Sequence, residues 1–566
     1  MGKKIIFLLV AINLLLTCCG GDSPTQFQQP PRSSFKIDYY DLFFEIDAGE
    51  KLFRSTQNLT ITPSLSTASI IFDLHSDLTI DSLSLRENNG VEFPIVQWEV
   101  LGDVGYDRGW GTEQFTRVKI QTVDDILAGQ TLKLLIVYHM NPAVIGSSPG
   151  DELLKLTIST GGSRALHPTS GILPVFGGNI SAPFRIGIKY PQGQYSCVPG
   201  NLMATQAKAG YVTEIYETEF AHIPVFYIGP AEKVERSRNG LTVEYYLAPG
   251  QPFVEDIIDK TFEVAQLYTE RFGNPGTTAY RFAFVDVRGS STTGESKGNA
   301  IYFAYRGSND FVWNEEGKTN FVQLISHELF HNWNLWYVHW TGKLYEWFGE
   351  GGASFMSAWA GEQVFGQDAG AAIRSSFVNG FIQNRGYEAL RTLENAQKSS
   401  SAERSLIYSY GALVWEQLRQ KLGEIALFAG LDDFFTTNEY KSAGYSELYA
   451  SLQAHTEVPV EPYLDQWIKH NAKIDLSIRN VTIHQSGNLY ETTVEFNIDS
   501  DRDYEIFTAI GYKTSVTGQI TNIEIHTSQK GIQTLTFTSD QQPVLIQLDP
   551  DYRVPQIESN NDSWSD

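Results

Sequence analysis

The 566-residue chain is poor in cysteine, in cationic residues relative to anionic ones, and in long apolar runs. Its three cysteines, Cys18, Cys19 and Cys197, are too few for a disulfide framework or a cysteine-rich metal site. Lys and Arg number 42 against 66 Asp and Glu, a formal charge of −24. That balance leaves no cationic surplus for a phosphate backbone, so no nucleic-acid partner is expected. Beyond the N-terminus there is no apolar run of about 18 residues, the length a membrane-spanning helix needs. Internal repeats and low-complexity tracts are absent as well. Apolar and aromatic residues, by contrast, make up 42% and 13%, enough for large buried cores, which excludes global disorder. At roughly 100–200 residues per domain the length implies about three to five folding units.

The N-terminus reads as an address. Lys3 and Lys4 precede an apolar run over residues 5–16, too short at about 1.5 Å per residue to cross a bilayer. The sequence Leu15-Leu16-Thr17-Cys18-Cys19-Gly20 resembles a bacterial lipobox. The resemblance implies a lipoprotein signal peptide over 1–17, Cys18 or Cys19 as lipid anchor, and membrane attachment in a bacterial cell envelope. The alternative is an ordinary cleaved signal that contains two cysteines. Residues 18–34, polar and proline-containing, read as a tether.

From residue 35 to about 238 the chain reads as all-β. Segments 36–46, 58–61, 79–85, 131–138 and 185–190 alternate or cluster β-branched and aromatic residues between Gly, Pro, Asn and Asp. A sandwich is expected. Residues 254–272 place Ile257, Ile258, Phe262, Ala265, Tyr268 and Phe272 at helical spacing, and Gly273-Asn274-Pro275 ends that helix. Strands are expected at 281–287 and 300–305, and helices dominate from Phe321 to about Ala472. Strands return over 474–554, suggesting a small immunoglobulin-like sandwich, and residues 555–566 read as a flexible tail. The fold class is therefore multidomain α+β.

The chemistry lies in Ser326-His327-Glu328-Leu329-Phe330-His331. Two histidines four apart on a helix, with Asn320 as the expected N-cap, sit one turn apart on one face. Their imidazoles can share one cation, and zinc suits neutral imidazole. Glu328, adjacent to the first histidine, points beside the cation, where it can take a proton from an activated water. Glu350 follows His331 after eighteen residues, in Trp347-Phe348-Gly349-Glu350-Gly351-Gly352-Ala353, at a distance suited to a second helix packed on the first. The glycines permit close approach. The bland reading is a buried helix with two structural histidines. Tyr408, in Tyr408-Ser409-Tyr410-Gly411-Ala412, could donate a hydrogen bond to an oxyanion.

Together these pieces resemble the gluzincin zinc metallopeptidases, in particular the membrane alanyl aminopeptidase family. His-Glu-x-x-His at 327–331, eighteen residues, then Glu350-Gly351 is similar to that family's zinc signature, and Tyr408-x-x-Gly411-Ala412 to its tyrosine motif. His331-Asn332-Trp333-Asn334 looks closer to the glycyl aminopeptidases. The resemblance implies a thermolysin-like catalytic domain over 239–473, after an N-terminal β domain over 35–238. It implies one Zn2+ per chain on His327, His331 and Glu350, with Glu328 as general base and Tyr408 as transition-state stabiliser. It also implies peptide substrates and a cleft lined by the strand at 300–305, the equivalent of an edge strand that pairs with substrate. One departure bears on specificity. The family's Gly-x-Met-Glu-Asn, which clamps a free amine, is absent, and 292–300 reads Thr-Thr-Gly-Glu-Ser-Lys-Gly-Asn-Ala. Glu295 can substitute as a substrate-binding residue, with Lys297 competing for it. Both an aminopeptidase-like enzyme and an endopeptidase follow as expectations. A non-catalytic peptide-binding lipoprotein is the reading from another class.

Overall fold

A computed structural model describes residues 35–107, 112–146, 155–166, 170–176, 181–251, 255–287, 294–305 and 315–565. Cys18 and Cys19, and with them the expected signal, anchor and tether, lie outside the described residues. No described helix is long and apolar enough to cross a membrane. The described residues divide into two compact units, one within 35–262 and 275–305, the other 263–274 and 315–565. This division differs from the expected boundary near 239, because the strands up to residue 305 group with the N-terminal β structure.

In the first unit a seven-stranded sheet runs in the order Asn201–Lys208, Tyr211–His222, Ala182–Pro191, Phe35–Asp47, Leu52–Pro63, Leu132–Met140, Leu78–Glu87. Its pairs are antiparallel apart from Phe35–Asp47 beside Ala182–Pro191. Period-two patterning sets its inner face: in Leu132–Met140, Leu132, Leu134, Ile136, Tyr138 and Met140 all turn inward. These residues share one apolar cluster with Ile70, Phe72, Val118 and Ile120 from a three-stranded sheet of Thr67–His75, Thr112–Ile126 and Ile95–Asp107. Cys197 is fully buried, which pushes its thiol pKa up.

A mixed five-stranded sheet follows, in the order Glu232–Arg238, Leu241–Leu247, Ala279–Asp286, Ala300–Tyr305, Gly294–Lys297. The expectation that 300–305 forms the sheet edge fails. The chain turns back through Gly298, at φ +67°, and Gly294–Lys297 pairs antiparallel outside Ala300–Tyr305 to become the edge itself. Four residues without an apolar alternation gave no strand signal in the sequence.

Helix α1, Glu255–Phe272, buries all six apolar positions of its expected stripe. It stops at Gly273, whose φ of +76° needs glycine and whose N–H donates to Thr269 O at 2.9 Å. The second unit holds helices α2 (Glu315–His331), α3 (Gly352–Phe365), α4 (Gln367–Gln383) and α5 (Gly411–Leu422), four further helices (Ser401–Ser405, Glu424–Thr437, Tyr445–Ala454 and Val460–Ile468), and the C-terminal strands. Helix α2 begins at Glu315, so Asn320 lies inside it and is not its N-cap. The run Glu-Glu-Gly-Lys-Thr-Asn contains no apolar residue by which periodicity could reveal that turn and a half. The C-terminal strands form a three-stranded sheet of Ile474–Ser486, Leu489–Ser500 and Gly531–Ser539. A four-stranded sheet joins Thr521–Thr527, Ile506–Lys513, Leu545–Leu548 and Ser563–Ser565.

That last strand corrects the expected flexible tail. Ser563–Ser565 pairs with Leu545–Leu548, Ile557 N donates to Ile474 O at 2.8 Å, and Gln556 Oε1 accepts from Leu476 N at 3.0 Å. The tail is polar because its side chains and main chain satisfy the sandwich's own backbone. Asp562 is buried on this return, with Gln556 Nε2 3.0 Å from Oδ2. Burial, reinforced by the carboxylates of Asp549, Asp475 and Glu558, pushes Asp562 up to about 8. The folded state thus holds this proton more tightly than the unfolded chain, whose aspartates titrate near 3.9. The resulting stability is complete below about pH 4 and is lost as pH rises through about 8. Replacing Asp562→Asn should therefore raise the thermal midpoint at pH 8–9 by several degrees, taking about 2–4 °C per kcal/mol. It should also flatten the decline between pH 5 and 9. Parallel slopes for wild type and variant in a melting series would remove this assignment.

Candidate metal centre

Helix α2 carries His327 and His331 one turn apart, both buried, with ring centroids 4.9 Å apart and planes perpendicular. After His331 the helix widens into a π-helical turn, Asn332–Tyr337. A second π turn, Trp347–Gly351, contains Glu350 and opens α3. A third, Leu406–Tyr410, contains Tyr408 and opens α5. All three π segments among the described residues therefore lie in the stretches that carry the expected site. The first closes its helix before the extended Val338, whereas the other two run on into α3 and α5, widening the turn that carries Glu350 and Tyr408.

Close approach holds these turns together. A Cβ on Gly351 would lie 3.1 Å from Ile407 O, and one on Gly411 would lie 3.4 Å from Gly351 Cα. The Glu350 turn therefore meets the Tyr408 turn backbone to backbone. Trp347 stacks on Trp415 of α5 at 4.5 Å and donates from Nε1 to Gly411 O at 3.2 Å. Tyr268 of α1 reaches Ser326 O at 3.3 Å on α2 and Met356 O at 3.0 Å on α3. Trp333 and Trp340 are buried as well, and Trp340 stacks on Phe348 at 4.1 Å.

The result is a convergence of three donors, His327, His331 and Glu350, within 4.8 Å of one another. Glu350 Oε2 is 3.2 Å from His327 Nε2 and 3.4 Å from His331 Nε2. Donors about 2.1 Å from one zinc at tetrahedral angles stand roughly 3.4 Å apart. The tautomer of His331 fits as well. Asn334 donates from Nδ2 to Phe348 O at 2.9 Å and to Gly349 O at 2.7 Å, so its Oδ1 must accept. His331 Nδ1, 3.1 Å away, is therefore the N–H donor, and Nε2 of the neutral ring carries a lone pair aimed at a carboxylate oxygen. Two lone pairs facing each other in a buried site call for a proton or a metal ion between them. Charge agrees: Glu346 and Glu350 both pair with the ammonium of Lys398, Glu328 is buried on the same helix as the histidines, and a divalent ion closes the balance.

Burial drives His327 down to about 4. For His331 burial acts the same way, but the Glu350 carboxylate outweighs it and the pKa is raised. Against its own burial, Glu350 is held well below the usual carboxylate range by Lys398 and His331. Burial raises Glu346.

Tyr408 is buried and stacks on the His327 imidazole at 6.0 Å. Glu328 is buried on the same helix as the two histidines and is not one of the three converging donors. Glu295 lies in the first unit, on the edge strand Gly294–Lys297; its Oε1 is ion-paired with Lys297, the competitor expected from the sequence. Its Oε2 is buried and has no hydrogen-bond partner among the described residues. Sequence reasoning assigned no role to Asn334 or Lys398. The first lay within the quoted His-Asn-Trp-Asn, but Lys398, 48 residues beyond Glu350, had no signal.

Comparison with known proteins follows the same line. Residues 295–467 match the profile described as the peptidase family M1 domain. No curated protein matches the sequence. Among solved structures, an M1 zinc metallopeptidase from Deinococcus radiodurans, a point mutant bound to a Tyr-Ser-Ala substrate, superposes with a TM-score of 0.58 at 18% identity. The match covers 77% of this chain and 95% of that one. At that identity it speaks for the fold.

Outer-sphere partners of metal-binding histidines typically contribute about 10–100-fold in affinity. Asn334→Ala should therefore weaken zinc binding by about that factor, read by competition with a chromophoric chelator. An unchanged affinity in a folded variant would show that something other than Asn334 orients His331.

Proposed function

From a chain whose residues 295–467 carry a peptidase family M1 domain, we propose a zinc-dependent metallopeptidase, aminopeptidase-like, with one zinc per chain. The observation that carries this reading is the buried convergence of His327 Nε2, His331 Nε2 and Glu350 Oε2 at zinc-ligand spacing. A scaffold protein has no use for so costly a cluster of desolvated donors. Bound there, zinc would supply Lewis-acid polarisation of the scissile carbonyl and of a water.

The chain's own residues do the rest in this proposal. Glu328 accepts the proton of the attacking water and returns it to the leaving amine. Tyr408, braced against His327, donates its hydroxyl to the carbonyl oxygen as negative charge gathers there, a contribution of about 3–4 kcal/mol for one well-placed donor. The π turn at 406–410 supports this by fixing the tyrosine's direction relative to the Glu350 turn.

Two readings of specificity rest on Glu295. The orphaned Oε2 favours an amine-binding subsite, hence an aminopeptidase. The ion pair from Oε1 to Lys297 favours an endopeptidase, because it already spends the carboxylate's charge. An amino-acid arylamide assayed beside its N-acetylated form separates them: rejection of the blocked substrate supports the first, equal cleavage the second. Export to a bacterial cell envelope on a lipid at Cys18 or Cys19 is proposed from the lipobox-like sequence alone. Labelled fatty acid incorporated by wild type and not by a C18S/C19S chain would support it.

Glu328→Gln should retain zinc and lose about 10²–10⁴-fold in turnover, the usual contribution of a general base. Glu350→Ala should lose the metal itself. Zinc content by mass spectrometry together with steady-state hydrolysis tests both. Full activity in Glu328→Gln removes the base assignment, and unchanged zinc in Glu350→Ala removes the ligand assignment.

A further inference from the structure

We infer that Lys398 is a positioning residue for the metal, dividing the two oxygens of Glu350 so that only Oε2 is presented to the ion. The inference rests on the zinc reading above. Lys398 Nζ lies 2.6 Å from Glu350 Oε1, whereas Oε2 faces the two imidazoles at 3.2 and 3.4 Å. The two oxygens of one buried carboxylate thus have separate partners. The ammonium is itself buried, so its pairing is a charge-assisted hydrogen bond little weakened by solvent.

A plainer account makes Lys398 the counter-ion of Glu346 and nothing more. The distances decide against it: Nζ stands 3.3 Å from Glu346 Oε2, longer than its 2.6 Å bond to Glu350. Lys398 also lies 5.6 Å from the ring centroid of Tyr408, so one cation touches both the metal ligand's far oxygen and the tyrosine that stacks on His327. Its approach is set by the segment between the short helical turns Leu393–Asn395 and Ser401–Ser405, the second capped by Ser400 Oγ accepting from Glu403 N at 3.2 Å.

The consequence follows from coordination chemistry. A carboxylate can bind zinc through one oxygen or two, and two-oxygen binding consumes the position a catalytic site must keep open. By occupying Oε1, Lys398 keeps Glu350 a one-oxygen ligand and leaves that position to water and substrate. Glu346, beside it, keeps the ammonium from swinging away.

Zinc K-edge X-ray absorption on the full-length, zinc-loaded protein tests this without reference to activity. Wild type should show two imidazoles and one carboxylate oxygen from the protein. K398M should gain a second carboxylate oxygen and bind zinc with an affinity altered by about tenfold or more. K398R, which keeps the charge and the donor, should return the wild-type spectrum. A K398M spectrum and affinity identical to wild type would overturn the proposal, as would wild type with both Glu350 oxygens at bonding distance. The wild-type measurement decides even if K398M does not fold. Wild type that takes up no zinc would instead overturn the zinc reading, and this one with it.

Discussion

One carboxylate oxygen lodged between two imidazole nitrogens is the constraint around which the helical unit is arranged. Left without a metal, the contact is relieved only by a proton on an imidazole, and the Glu350 carboxylate raises the pKa of His331 accordingly. Everything that surrounds it keeps the contact from relaxing. Asn334 fixes the face of one ring, Lys398 holds the far side of the carboxylate, and Trp347 on Trp415 locks the turn that carries Glu350. The cost of that desolvation is several kcal/mol per buried ion unless it is compensated. A fold that builds such a site with its helices already in place spends packing energy to keep metal affinity high.

The π turns bear on how Glu350 and Tyr408 are aimed. Each of these residues lies inside such a turn at the head of a helix, whereas His331 precedes the turn that closes its own. A single inserted residue changes the register of everything after it while the helix keeps its hydrogen bonds. Gly351 and Gly411 then allow the two later turns to touch through backbone, where a Cβ on Gly351 would press on Ile407 O at 3.1 Å. Packing, local geometry and chemistry meet at the same few residues.

What was legible in the sequence was what depends on spacing along one element. The histidine pair reads from a four-residue interval, Glu350 from its fixed distance, and the stripe of α1 from its period. The return to strands after residue 474 was legible in the same way. What was not legible depends on contacts between distant segments. Lys398 is one lysine among many until the fold brings it to Glu350. Asn334 is polar and unremarked until its amide is seen to join His331 to two carbonyls. The tail at 555–566 looked disordered because its residues are polar, yet polarity there serves to pair with exposed backbone. The edge strand at 294–297 was missed for the complementary reason, since it is held by main-chain bonds and a salt bridge and shows no apolar rhythm.

That edge strand also bears on the selectivity proposed above. A free amine is selected by an unneutralised carboxylate, through both Coulomb attraction and hydrogen bonding. Lys297 cancels most of the first for Glu295 but leaves Oε2 able to supply the second. A buried hydrogen bond to a charged donor is worth about 1.5–3 kcal/mol, against the larger sum available to an unpaired carboxylate. An enzyme relying on Glu295 alone would therefore prefer a free N-terminus by roughly one to two orders of magnitude rather than absolutely. Strict exopeptidase behaviour would require a second acid, and complete indifference would require Lys297 to hold both oxygens. In the proposed enzyme, the pairing of Glu295 with Lys297 would put selectivity between the two limits.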